Sequence, residues 1–221
     1  QGGFPEISFA KEEFKARILK QYFDDILYKD IIKRYNINTK KVQDLAIYLM
    51  TNFTNKFSLR TIRNTLKIAY DSIQDYLSYF IEAYLFFIHD YFSYSLKEQK
   101  TRASKIYCID NGLRNATSFK FSEDYGRLAE NLVFVELKRR KQEVFYWDEK
   151  GEVDFVVKDG GELTPINVTY SDEVDKREIN ALNEFKARFN KNVKRMLILT
   201  KDVESMEAGI EFIPLWKWLL M

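Results

Sequence analysis

The segment Glu152–Val168, EVDFVVKDGGELTPINV, constrains the fold more than any other stretch of the chain. Two runs of alternating apolar residues meet at Gly160-Gly161, the composition of a tight hairpin turn. Strand alternation turns Val153, Phe155 and Val157 to one face and Glu152 and Asp154 to the other. On the returning strand Ile166, Val168 and Tyr170 face the core, and Asn167 and Thr169 face away. With the two glycines at the centre of the turn, Asp154 stands opposite Asn167 and Glu152 opposite Thr169. Four polar side chains then share one patch of an apolar sheet, within reach of Glu130 on the preceding helical segment RLAENLVF.

The hairpin sits in an ordered series of elements. Residues 122–140 carry helical spacing through Tyr125, Leu128, Leu132 and Val135, and VFYWD, EVDFVVKD and TPINVTYS read as three strands. Residues 176–190 read as a helix, KRMLILTKD as a strand, and IEFIPLWKWLL as a strand passing into a helix, with Trp216 and Trp218 packing over the sheet. Helix, three strands, helix and strand is an α/β order around a mixed sheet.

The first half differs. Residues 11–28 form an amphipathic helix through Phe14, Ile18, Tyr22 and Ile26. Thr39, Ser58 and Asp71 then stand at the starts of three helical stretches. Two alternating runs, YLFFIHDYFSYS and SKIYCID, flank the polar LKEQKTRA. Three helices and a two-stranded ribbon predict a winged helix-turn-helix.

Composition narrows the chemistry. With 46% hydrophobic and 31% charged residues the chain is not disordered. No run of about 20 apolar residues suits a membrane span, which predicts no membrane partner. Cys108 has no second cysteine to pair with and lies in an apolar run, which suits a buried thiol and a reducing, cytoplasmic setting. His89 is the single histidine, which excludes a His-rich metal site, and the strand pattern places it facing solvent.

Several motifs, taken in order, resemble one known family. They are GGFPE, the winged helix, KIYCIDNGLRNA, GRLAENLVFVELKRR with VFYW, and GEVDFVV through PINVTY with REINAL. Together they resemble the C-terminal half of prokaryotic, especially archaeal-type, AAA+ ATPases, in which a winged helix precedes a domain of the PD-(D/E)XK, restriction-endonuclease-like fold. The resemblance implies a linker over 1–28 from a preceding ATPase domain, a winged helix over 29–112 and an α-β-β-β-α-β nuclease-like domain over 113–221. ATP would belong to the preceding domain, since the chain has no G-x-x-x-x-G-K-[ST] phosphate loop.

The resemblance also assigns site residues. Asp154 takes the place of the family's metal-binding Asp, but Asn167 stands where its Glu would be and Thr169 where its Lys would be. The expectation is a vestigial site of Asp154, Glu130, Glu152, Asn167 and Thr169, with Mg²⁺ at Asp154 and Glu130 only if cleavage survives. A displaced cation such as Lys176 would then replace the missing Lys.

The expected function is a DNA-binding or regulatory module of the ATPase. The alternatives are a metal-dependent deoxyribonuclease and a docking scaffold for the ATPase domain or another protein. From Ile26 to Tyr107 there are 13 Lys and Arg against 7 Asp and Glu. DNA contact is expected from Arg60, Arg63 and Lys67 on one helix and from Lys97, Lys100, Arg102 and Lys105 in the wing. The last helix of the motif, residues 72–85, has no Lys or Arg to place in a groove.

Overall fold

A computed structural model describes residues 2–118, 124–171 and 173–221. The expected helix start at Ser122 lies outside them. The chain divides into two compact units, residues 1–88 with 103–123, and residues 89–102 with 124–221.

The first unit is mostly helical. α1 (Pro5–Phe9) and α2 (Glu12–Asp25) are followed by a π-helical stretch, Ile26–Ile32, and α3 (Lys33–Tyr35). The amphipathic helix expected to end at residue 28 therefore continues to Tyr35, where Asn36 turns left-handed at φ 49° and stops it. In α4 (Thr39–Thr51) the cap is Asn38, whose side chain accepts from Lys41 N–H, and Thr39 is the first helical residue. Val42, Leu45, Ala46, Leu49 and Met50 bury one face of it. β1 (Lys56–Phe57) precedes α5 (Leu59–Leu66), capped by Ser58, and α6 (Tyr70–Glu82). Asp71 lies in the first turn of α6, and Ala69 occupies the cap position without a side-chain bond. β2 (Phe86–His89) follows; the chain then enters the second unit, where it carries α7 (Leu96–Thr101), and returns as β3 (Ser104–Cys108), giving a sheet of order β1-β3-β2. Cys108 is buried, and burial pushes its thiol up to about 12.

After β3, α8 (Asn111–Thr117) is capped by Asp110, whose Oδ1 accepts from Leu113 N–H at 2.8 Å. Asp110 Oδ2 accepts from Gly3 N–H at 2.6 Å, so one carboxylate caps a helix and fastens the first residues of the chain. A Cβ at Gly112 would lie 2.6 Å from Gly2 Cα, which makes Gly112 a requirement of this backbone crossing.

The second unit holds α9 (Tyr125–Arg139), β4 (Glu143–Asp148), β5 (Glu152–Asp159), β6 (Glu162–Val168), α10 (Lys176–Phe189), β7 (Leu197–Thr200), β8 (Ser205–Glu207), β9 (Ile210–Pro214) and α11 (Leu215–Leu219). The strands form one mixed sheet of order β4-β5-β6-β7-β9-β8, with β6, β7 and β9 parallel. All four residues of β7 are buried, as in a strand covered on both faces. Val153, Val156, Leu163 and Ile198 pack with Leu182 and Phe185 of α10, whereas Phe155 meets Phe134 of α9. Trp218 is buried under the Arg140 guanidinium, but Trp216 is exposed and does not pack as expected.

The two strands of the expected ribbon form as β2 and β3, neighbours in the first unit's sheet, but the first run, read as a strand through Ser95, ends as a strand at His89. Residues 89–102 belong to the second unit, where Tyr91 makes a parallel bridge to Tyr146. Phe92 N–H donates to Tyr146 C=O at 2.6 Å, and Tyr146 N–H to Asp90 C=O at 3.0 Å, covering the exposed edge of β4. Tyr91 O–H donates to Glu149, which also accepts from Arg102 at 2.9 Å. His89 is consequently buried, stacked on Phe155 at 5.4 Å, and not turned to solvent.

Gly112→Ala is expected to lower the unfolding free energy by about 1–3 kcal/mol, the usual cost of forcing an extra methyl into packed backbone. Thermal unfolding of the purified variant measures it, and an unchanged Tm would contradict the crossing.

Candidate functional site

The hairpin pairs as expected: Phe155 faces Ile166, Val156 faces Pro165 and Val157 faces Thr164, with Gly160 left-handed at φ 58° in the turn. The pairing with β4 is less regular. Val156 pairs with Phe145 and Val153 with Trp147, so Asp154 and Phe155 together oppose the single residue Tyr146. This is a β-bulge, and it re-aims Asp154. Alternation is broken there, which is why Val153 and Val156 share a core face.

At the bulge, side chains take over the backbone ladder. Asp154 N–H donates to Asn167 Oδ1 at 3.0 Å, and Asp154 Oδ2 accepts from Val168 N–H at 2.9 Å. Asn167 is fully buried, and its Nδ2 donates to Glu152 C=O at 3.1 Å and to Glu178 Oε2 at 2.7 Å. Glu178 Oε1 in turn accepts from Arg177 at 3.0 Å, and this pairing raises the Arg177 pKa. Every one of these groups would be costly to bury unbonded.

The elements that bring Glu178 there are specific. Asp175 caps α10 by accepting from Arg177 N–H, which sets Arg177 and Glu178 in the first turn. The β4–β5 turn packs against the same helix: a Cβ at Gly151 would lie 2.8 Å from Ala181 Cβ, and Gly151 N–H donates to Glu184. Between them opens a cleft of about 570 Å³ lined by Glu130 and Arg127 of α9, by Asp148, Lys150, Glu152 and Asp154, and by Arg177 and Glu178.

The structure thus brings Glu130, Glu152 and Asp154 to one cleft, with Asn167 beneath it. Thr169 is not among the lining residues; it is buried, with its hydroxyl 3.1 Å from Ser171 Oγ. Lys176 is exposed and also outside the cleft, which takes its cations from Arg127, Lys150 and Arg177. Sequence reasoning missed these three and Glu178. The Asp175-to-Glu178 spacing of a capping box marked the helix start, but nothing local tied Glu178 to Asn167.

Part of the donor set that a hard divalent cation would use is already bonded within the fold. Glu130, Asp148, Glu152, Asp154 and Glu178 bring carboxylates to the cleft, and Mg²⁺ would be held by one or two of them with water, but the Asn167 oxygen and one oxygen of Asp154 are bonded to backbone N–H groups. Among the described residues no group of three or more His, Cys, Asp or Glu is placed to hold a metal.

The expected DNA-contacting residues are also dispersed. Lys97 and Lys100 are exposed on α7 in the second unit. Arg102 is engaged by Glu149 and lies 4.8 Å over the Tyr91 ring. Lys105 is 3% exposed on β3, a position from which it reaches no phosphate. Arg60, Arg63 and Lys67 of the first unit are all exposed, opposite the buried Ile62. None of the three has an ion-pair or hydrogen-bond partner among the described side chains. The basic end of α9 is different, because Arg139 and Arg140 both bond Glu136 and hold its carboxyl down at about 2.

The family profile described as "Domain of unknown function (DUF8612)" matches residues 1–124, and the profile described as "Domain of unknown function (DUF4143)" matches residues 125–218. An uncharacterized protein of Methanocaldococcus jannaschii, MJ1544, is 38% identical over 99% of this chain and 54% of its own length. An uncharacterized protein of Haemophilus influenzae is 31% identical over 99% of this chain and 56% of its own length. The chain therefore spans about half the length of the curated relatives it matches. The crystal structure of protein VC1899 from Vibrio cholerae aligns over 98% of this chain and 55% of its own, with 12% identity and a TM-score of 0.27. No helix among the described residues is long and apolar enough to cross a membrane.

Asn167→Asp is expected to cost about 3 kcal/mol at neutral pH, because it sets a buried carboxylate against Glu178 and the Glu152 carbonyl. The new carboxyl has a folded pKa raised above its unfolded value. The variant therefore recovers stability as pH falls below that folded value and loses it as pH rises. Urea denaturation at pH 7 and pH 4.5 reads the difference; equal deficits at both would contradict the network.

Proposed function

This chain belongs to the family described as domain of unknown function DUF8612, and from that premise we propose that it is a DNA-contacting accessory region of a longer ATP-hydrolysing protein. It holds the nucleic-acid backbone and does not cut it. The observation that carries the reading is the basic side of α5. Arg60, Arg63 and Lys67 are exposed along one side of α5, opposite the buried Ile62, and make no ion pair among the described residues. Unpaired cations release no protein partner on meeting a phosphate, so their full Coulomb attraction is available to a polyanion.

The helical part has the element order of a winged helix in which the wing has been diverted, and the sheet has the α-β-β-β-α-β order of a nuclease-like domain. Loss of cutting follows from Asn167, whose amide is spent on the hairpin itself. ATP hydrolysis would reside in a part of the protein beyond this chain, in keeping with relatives about twice as long.

Fluorescence anisotropy with labelled DNA across a salt series tests this. Three phosphate contacts give a slope of log K on log salt of about −2.7 on duplex DNA and about −2.1 on a single strand, and the triple substitution Arg60→Ala, Arg63→Ala, Lys67→Ala is expected to abolish binding. Absence of binding at low salt would overturn the proposal in favour of protein docking. Branched, linear and single-stranded DNA are expected to survive incubation with Mg²⁺ or Mn²⁺. Cleavage that disappears in Asp154→Ala would contradict the non-cutting role.

A further inference from the structure

The basic stripe ends at an exposed aromatic ring. Lys67 caps α5 in the left-handed conformation, φ 55°, which stops the helix and turns the chain. Ile68 is buried and anchors that turn, and Tyr70 opens α6 only three residues beyond Lys67, so their Cα atoms lie within roughly 11 Å. Tyr70 is 46% exposed. Its hydroxyl has no hydrogen bond and its ring no ring or cation contact among the described residues. Other tyrosines nearby differ: Tyr76 is buried and Tyr79 is stacked on Tyr35 at 3.7 Å.

The neighbouring helix excludes the usual duplex docking. α6 presents Asp71, Asp75 and Glu82 on its exposed positions and carries no Lys or Arg. Insertion into a major groove would press those carboxylates against phosphates. A strand lying along α5 and ending at the α5–α6 turn avoids Asp75 and Glu82, which lie further along α6. A duplex hides its base faces within the stack, whereas a single strand offers a face that a free aromatic ring can cover.

We infer that Arg60, Arg63, Lys67 and Tyr70 form a binding site for a single-stranded phosphodiester chain, with the cations on successive phosphates and the Tyr70 ring stacked on one unpaired base. This rests on the proposal above that α5 contacts nucleic acid, and adds that the preferred form is single-stranded.

The test uses fluorescence anisotropy of the full chain with a labelled deoxy-oligonucleotide, the ribo-oligonucleotide of the same sequence, and the deoxy duplex. The single strands are expected to bind at least about tenfold more tightly than the duplex. Tyr70→Ala is expected to weaken single-strand binding by about fivefold to a hundredfold and leave duplex binding unchanged. Tyr70→Phe, which keeps the ring, is expected to bind as the parent does. Circular dichroism confirms that each variant is folded. Comparison of the deoxy and ribo arms shows which sugar the site accepts, and tighter binding of either than of the duplex supports the site. Duplex bound as tightly as both single strands, or an equal loss for Tyr70→Ala on all three, overturns the inference while leaving the α5 contact standing. No binding to any of them overturns both.

Discussion

The second unit's site depends on a crossed pair of hydrogen bonds, in which Asn167 Oδ1 accepts from Asp154 N–H and Asp154 Oδ2 accepts from Val168 N–H. A β-bulge takes Asp154 out of regular alternation, and its N–H and that of Val168 would be left without ladder partners. Each residue's side chain completes the other's strand. Buried amide groups left unbonded cost about 1–3 kcal/mol each, so these side chains are committed to the fold before any ligand arrives. The cleft above them keeps its carboxylates and gains Arg127, Lys150 and Arg177, but its central amide is occupied.

A second constraint is the path of residues 89–102. Tyr91 and Phe92 bury their rings in the second unit's core and close the edge of β4, and Arg102 and Tyr91 converge on Glu149. Those residues are thereby removed from any wing. Within the helix-turn-helix pair of the first unit the cations lie on α5, and the acidic α6 has no Lys or Arg to add.

Much of this was legible in local sequence. The Gly160-Gly161 turn dictated the register that put Asp154 against Asn167, and Ser58 marked the start of α5 as a cap whose Oγ accepts from Thr61 N–H, three residues on. The bulge was not legible, because it depends on how β5 meets β4, a pairing that the alternation of β5 alone does not encode. Glu178 lies eleven residues beyond Asn167 and reaches it only because α10 packs on the hairpin. The stretch LKEQKTRA reads as a loop, being polar all round, yet Ser95 caps it and it forms α7. His89 and Lys105 read as exposed strand residues and are buried, since alternation identifies a strand but not what covers it.

The most direct measurement is a Mg²⁺ titration of ¹⁵N-labelled protein followed by NMR at the backbone amides of Asp154 and Val168 and the side-chain amide of Asn167. Resonances that stay in place through millimolar Mg²⁺, with the Asn167 amide protons slow to exchange, are the expected result. Saturable shifts at these three groups, with fast exchange of the Asn167 amide, would mean that the side chains are free to bind the ion and that the hairpin does not rely on them.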